Sequence, residues 1–228
     1  MEKLKFIGSG KWGHVYRGCL NNVCRYKYAR KNSKNTLDIE YRIMKIAHRI
    51  APHGVVKPYY FSKHKDKNVL YLEYIEIDKR GKITMKNLKR LITKVIYTLQ
   101  QIQMIYPSFR HNDLHWENVF NTKDNKTAVI GDFGFAFIDQ PGVRNPIVTS
   151  KKYEKMWGIF PYNNENYDIH LLLNSIHNKG NAQVKKFIEK LIPKSYIGSE
   201  NSQLINSRMR YNINHSNFPD MNKILSKY

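Results

Sequence analysis

Acidic residues are scarce in this chain: 18 Asp and Glu stand against 39 Lys and Arg among 228 residues, for a formal net charge of +21. Cysteine is scarcer still, with only Cys19 and Cys24. Two cysteines exclude a disulfide framework, and they read as free thiols of a reducing compartment. No apolar run approaches the length of a membrane span, and Met1-Glu-Lys-Leu-Lys5 lacks the apolar stretch of a secretory signal. The expectation is therefore a cytoplasmic protein. Repeats, low-complexity linkers, zinc-ligand spacings and RNA-reading aromatic motifs are also missing. The basic excess is spread along the chain, and Asn, Ile, Lys and Tyr are all plentiful, as AT-rich codons would give. The charge favours anionic substrates, acidic proteins and polyanions, and leaves nucleic-acid association open without a motif to support it.

What is present is a pattern of polar groups with a chemical purpose. His111-Asn-Asp113-Leu-His-Trp-Glu-Asn118 is followed by Ile130-Gly-Asp132-Phe133-Gly134. Phosphoryl transfer from ATP needs a carboxylate to orient and deprotonate the acceptor hydroxyl, and an amide and a second carboxylate to hold Mg2+ on the phosphates. Asp113, Asn118 and Asp132 have the types and spacing for those roles. A polar turn in which Asp113 and Asn118 merely cap backbone groups is the bland alternative.

The N-terminal part carries matching groups. Gly8-Ser-Gly10-Lys-Trp-Gly13-His-Val15 is a glycine-rich turn that runs into the alternating residues of a strand, rather than into Lys-Ser/Thr or a helix. Glycines there let backbone approach phosphate closely. Asn21-Asn22 closes a hairpin, and the returning strand, Val23 to Lys31, supplies a phosphate-contacting lysine. Lys27 and Lys31 share a face by alternation. Lys27, among Cys24, Tyr26 and Tyr28, is preferred, while Lys31 has Ala29 two positions before it but polar Arg30 and Asn32 beside it. Glu40 lies on a helix with an apolar stripe at Leu37, Ile39, Ile43, Met44, Ile46 and Ala47, capped by Thr36. Val69 to Ile75 reads as a buried strand ending in an acidic residue.

These motifs resemble the protein kinase superfamily over roughly residues 4 to 176. The resemblance implies an α+β, bilobal fold with a small antiparallel sheet lobe plus one helix and a larger, mainly helical lobe. The expected boundaries are 1–73 for the small lobe, 74–78 for the hinge and 79–228 for the large lobe. It implies ATP and Mg2+ as cofactors. Gly8, Gly10, Gly13 and Val15 would cover the nucleotide, with Lys27 paired to Glu40. Leu72 would sit behind the adenine and the backbone of Glu73 and Ile75 along its edge. Asp113 would be the base, and Asn118 and Asp132 the metal ligands. Asp168, in Tyr167-Asp168-Ile-His-Leu, would brace the catalytic loop, its bland alternative being a helix cap.

The Asp-Leu-His-Trp wording looks like haspin-type kinases. The short length and His-Asn-Asp look like reduced kinases of large DNA viruses, which would place the protein in host cytoplasm or virion. The implied activity is transfer of the γ-phosphate to Ser/Thr hydroxyls of a protein, acidic if charge selects it, by a monomer. A small-molecule phosphotransferase of the aminoglycoside or choline kinase type, and a pseudokinase scaffold, remain alternatives. Three departures stand out. Asn112 replaces the Arg that binds an activation-loop phosphate, His115 stands where a phosphate-contacting Lys is common, and no Ala-Pro-Glu follows, Trp157-Gly-Ile-Phe-Pro161 being the substitute.

Periodicity places further helices at Met85–Tyr106 (Leu88, Leu91, Ile92, Val95, Ile96, Leu99, Ile102, Ile105), from Tyr167, at Val184–Ile192, and at the C-terminus to Leu225. Val119-Phe120 and Ala128–Ile130 read as short strands around an Asp124-Asn125 turn. Residues 140–161 read as irregular and basic.

Overall fold

A computed structural model describes residues 5–10, 13–19, 27–33, 37–63, 68–76, 83, 85–122, 127–152, 159, 161, 164–192, 197 and 220–227, with backbone alone at 9–10, 13, 19, 27–33 and 86. Asn21-Asn22, Cys24, Thr36, Asp124-Asn125 and Trp157 lie outside the described residues.

The fold is α+β and bilobal. The small lobe is a five-stranded antiparallel sheet of β1 (Lys5–Gly10), β2 (Gly13–Cys19), β3 (Lys27–Ser33), β4 (Pro58–Lys63) and β5 (Asn68–Glu73), in the order β1-β2-β3-β5-β4. Helix α1 (Leu37–Ile50) crosses from β3 to β4 and packs on β4 and β5. It buries Leu37, Ile43, Met44 and Ala47 as the stripe requires, and Glu40 among them at 3% exposure.

The large lobe is built on α2 (Met85–Ile105) and α3 (Tyr167–Lys179). Leu88, Leu91, Ile92, Val95, Ile96, Leu99 and Ile102 of α2 are buried as the 3.6-residue period predicts. Ile105 is not: it is 57% exposed, and Tyr106, one turn beyond Ile102, packs on the core in its place. Helix α3 is buried on every side from Tyr167 to His177, the mark of a central helix. The helix expected from Val184 begins at Ala182 and regular winding ends at Ile188 (α4), yet Leu191 and Ile192 stay buried through turns anchored on the Ile188 carbonyl. A short α5 (Met221–Leu225) closes against α2, its Asn222 side chain accepting from Gln100 at 2.9 Å.

Between α2 and α3 lie a 3-10 turn (Trp116–Asn118) and a two-stranded ribbon of β6 (Val119–Asn121) and β7 (Ala128–Ile130), as expected. The chain after α1 is stitched to that ribbon: Val56 N–H donates to Ile130 O and Ile130 N–H to Gly54 O. Gly54 is obligatory at this crossing, because a Cβ there would lie 2.0 Å from Thr98 Oγ1 of α2. One apolar cluster joins Ile43, Met44 and Ala47 of α1 to Leu114, Phe133 and the faces of α2 and α3.

Candidate active site

The loop Arg110–Asn118 is fixed from below. Arg110 exchanges two backbone hydrogen bonds with Phe137, and Asp168, wholly buried at the start of α3, accepts from the N–H groups of His111 (2.7 Å) and Asn112 (2.8 Å). The cap of α3 is Asn166, so Asp168 serves the loop rather than its own helix. Burial pushes the Asp168 carboxyl up from the usual range, opposed by His111 and the two N–H donors. Burial holds the His111 imidazole below its usual range, opposed by Asp168 and then Asp113. The His111 ring shares a 3.1 Å hydrogen bond with Gly131 O and meets the Phe133 ring edge-on at 4.9 Å.

This frame brings Asp113, Asn118 and Asp132 together. Asn118 Nδ2 donates to Asp113 O at 2.8 Å, which leaves Oδ1 as the oxygen end of that amide. Gly131 N–H donates to Asn118 O at 2.9 Å, so the next residue, Asp132, emerges beside Asn118. Asp132 is exposed and takes a left-handed φ of 57°, while Phe133 is driven into the core against Phe109. That conformation is disfavoured for an L-residue and is held by the packing of its neighbours. A carboxylate and an amide oxygen on adjacent loops are the hard donors Mg2+ takes alongside phosphate oxygens, so the residues fit that ion. Asp113 is half-buried, with His115 Nε2 at 3.8 Å from its Oδ2. His115 Nδ1 accepts from Glu117 N–H, so Nε2 bears the proton that faces Asp113.

On the sheet, Gly10 pairs with Gly13 and Gly8 with Val15, and nothing lies within 4 Å of where a Gly8 Cβ would be. Lys31 holds the register position between Val15 and Leu70; Lys27 is opposite Cys19, before the pairing of β3 with β5 begins at Tyr28 and Glu73. At ~3.4 Å per residue the two lysines are about 14 Å apart along the strand. Leu72 packs on the core and pairs with Ala29; Glu73 ends β5 and Ile75 follows it, half-buried.

Several residues that hold the site carry no motif. Asn145, 1% exposed, donates to the carbonyls of Gly134 and Ala136. Ser175 of α3 accepts from Trp116 N–H at 2.7 Å. Arg42 of α1 reaches the Gly142 carbonyl at 3.1 Å. Gly131 admits no side chain, since a Cβ would lie 2.4 Å from the Phe120 ring.

The fold and loops define a phosphotransferase of the kinase class. The protein kinase domain family model matches residues 1–156, and the chain belongs to that family. Kinases of this family use ATP with Mg2+ and act on proteins. No curated protein matches the chain significantly. Among the described residues no helix is long and apolar enough to cross a membrane.

Proposed function

We propose that the protein transfers the γ-phosphate of ATP to Ser/Thr hydroxyls of proteins. The observation that carries this is the Asp113–Asn118–Asp132 constellation, in which hydrogen bonds tie Asn118 to Asp113 and to Gly131 beside Asp132, and Asp168 braces the loop. Asp113 orients the acceptor hydroxyl and takes its proton; Asn118 Oδ1 and the Asp132 carboxylate would hold Mg2+, whose chemistry there would be neutralisation of phosphate charge. Gly8, Gly10, Gly13 and Val15 form the hairpin over the nucleotide. Leu72 backs the adenine, whose edge meets the backbone of Glu73 and Ile75. The lobes divide at 1–73 and 79–228, with 74–78 as the hinge, supported by β5 ending at Glu73 and α2 starting at Met85.

For the phosphate lysine the register favours Lys31 over the sequence-based choice of Lys27. Lys31 is level with Val15, next to the glycine hairpin, and with Leu70 on the strand against which α1 packs. Glu40 is a carboxylate buried on α1, and burying that charge requires a cation or strong donors. A Lys31–Glu40 pair would satisfy it. The polar neighbours Arg30 and Asn32, which count against Lys31 in sequence, occupy the alternate positions of the strand.

Transfer to protein rather than to a small molecule is supported by the family and by the glycine hairpin. Labelled ATP, Mg2+ and a basic and an acidic test protein, followed by phosphoamino-acid analysis, test it. Phosphoserine or phosphothreonine is expected. Label found only in small amines or alcohols would contradict it.

A further inference from the structure

One row of the small-lobe sheet is aromatic on four of its five strands, with Arg30 in the middle. Phe6 of β1 is opposite Tyr16 of β2, Tyr16 opposite Arg30 of β3, Arg30 opposite Tyr71 of β5, and Tyr71 opposite Tyr60 of β4. Directly opposed residues share one face of an antiparallel sheet. That face is the outer one, because the alternate residue Phe61, opposite Leu70, stacks on Tyr41 of α1 at 6.2 Å. Phe6 and Tyr60, at the two ends of the row, are 54% and 60% exposed. Phe6 and Tyr16 meet edge-on at 5.6 Å, and Tyr60 and Tyr71 lie 6.2 Å apart, so each ring pair supports itself.

We propose that this face binds single-stranded nucleic acid, with bases stacking on the ring pairs and phosphates drawn by the surrounding cations. With strands ~4.8 Å apart the row is about 19 Å long, enough for several consecutive bases. Stacking on exposed rings suits any base and needs no sequence motif. Arg30 holds the central register position of the row and exposed Lys57 precedes β4, on a chain of net charge +21, while Lys5 and Lys63 alternate to the other face. Glu73, half-buried at the sheet end, is the acidic group at these alternate positions. An acidic protein fits less well, since the negative ring faces repel carboxylates, whereas a base stacks on a ring by dispersion in an offset arrangement. The row lies on the opposite face from Val15 and Leu70, so occupancy does not compete with nucleotide at the proposed phosphate site.

The test is fluorescence anisotropy with a short labelled oligo(dT) on the full chain, with heparin as a polyanion without bases. Phe6→Ala/Tyr60→Ala should weaken oligo(dT) binding about tenfold or more, while leaving heparin binding and phosphotransfer unchanged. Tyr60→Phe, which keeps the ring, should bind as wild type. An unaltered oligo(dT) affinity in the double variant would overturn the proposal, as would parallel loss of heparin and oligo(dT). Sedimentation showing self-association that the double variant abolishes, with oligo(dT) affinity unchanged, would assign the face to a second copy instead.

Discussion

The side-chain amide of Asn112 donates a 3.1 Å hydrogen bond to the carbonyl oxygen of Phe135. It joins the loop that carries Asp113 to the segment that follows Asp132-Phe133-Gly134, and it does so without a charge. Asn112 itself adopts a left-handed φ of 62°, a conformation Asn tolerates better than most residues. An arginine at this position would order the segment through a phosphate; the amide does so through a backbone carbonyl. Asn145 and the Arg110–Phe137 bridge secure the same stretch.

Phosphotransfer should therefore be independent of prior phosphorylation. Protein made in bacteria and treated with phosphatase is expected to work at the rate of untreated protein. A large loss of rate, restored on rephosphorylation of Thr149, Ser150 or Tyr153, would contradict this.

The loop motifs and most helices were legible in the sequence because they depend on local spacing. Asp113, Asn118 and Asp132 are identified by residue type and interval, and the stripe of α2 by its period. What was not legible depends on pairing across distance. The choice between Lys27 and Lys31 turns on how β2, β3 and β5 align, and alternation cannot distinguish two residues four apart. Asn145, Ser175 and Arg42 hold backbone carbonyls and amides far away in sequence, so nothing adjacent to them signals the role. Asp168 was recognisable only through resemblance.

The two lysines should separate clearly in activity. Lys31→Met is expected to lose most phosphotransfer, while Lys27→Met, at the strand end, stays close to wild type. Steady-state rates at saturating ATP decide it, and the reverse order would restore Lys27.

Asp168 should matter to stability as well as rate. Asp168→Asn replaces one of two acceptor oxygens by a donor facing a buried N–H, and is expected to destabilise the fold by about 1–3 kcal/mol. Chemical denaturation measures this; an unchanged midpoint would mean the loop is held without it.

Stability should fall on mild acidification. His111 is buried with its pKa held below the ordinary value, so the unfolded chain takes up a proton that the folded chain refuses. Stability from this group is full above the unfolded pKa of about 6.5 and declines below it. Asp168, shifted upward, acts in the opposite sense: its folded form binds the extra proton, which favours the fold toward acid. That contribution is full below the ordinary Asp value of 3.8 and is lost as pH rises through the raised value of the folded carboxyl. Melting curves across the histidine range should show net loss toward acid. A melting temperature that is flat or rises there would mean that Asp168 outweighs His111.

In the proposed mechanism Asp113 acts on the acceptor and not on the nucleotide. Transfer of labelled γ-phosphate by wild type and Asp113→Asn, set beside Mg2+-ATP affinity by calorimetry, separates the two roles. The expected result is a loss of transfer of roughly a hundredfold or more with affinity retained. Near-wild-type transfer by Asp113→Asn would contradict it.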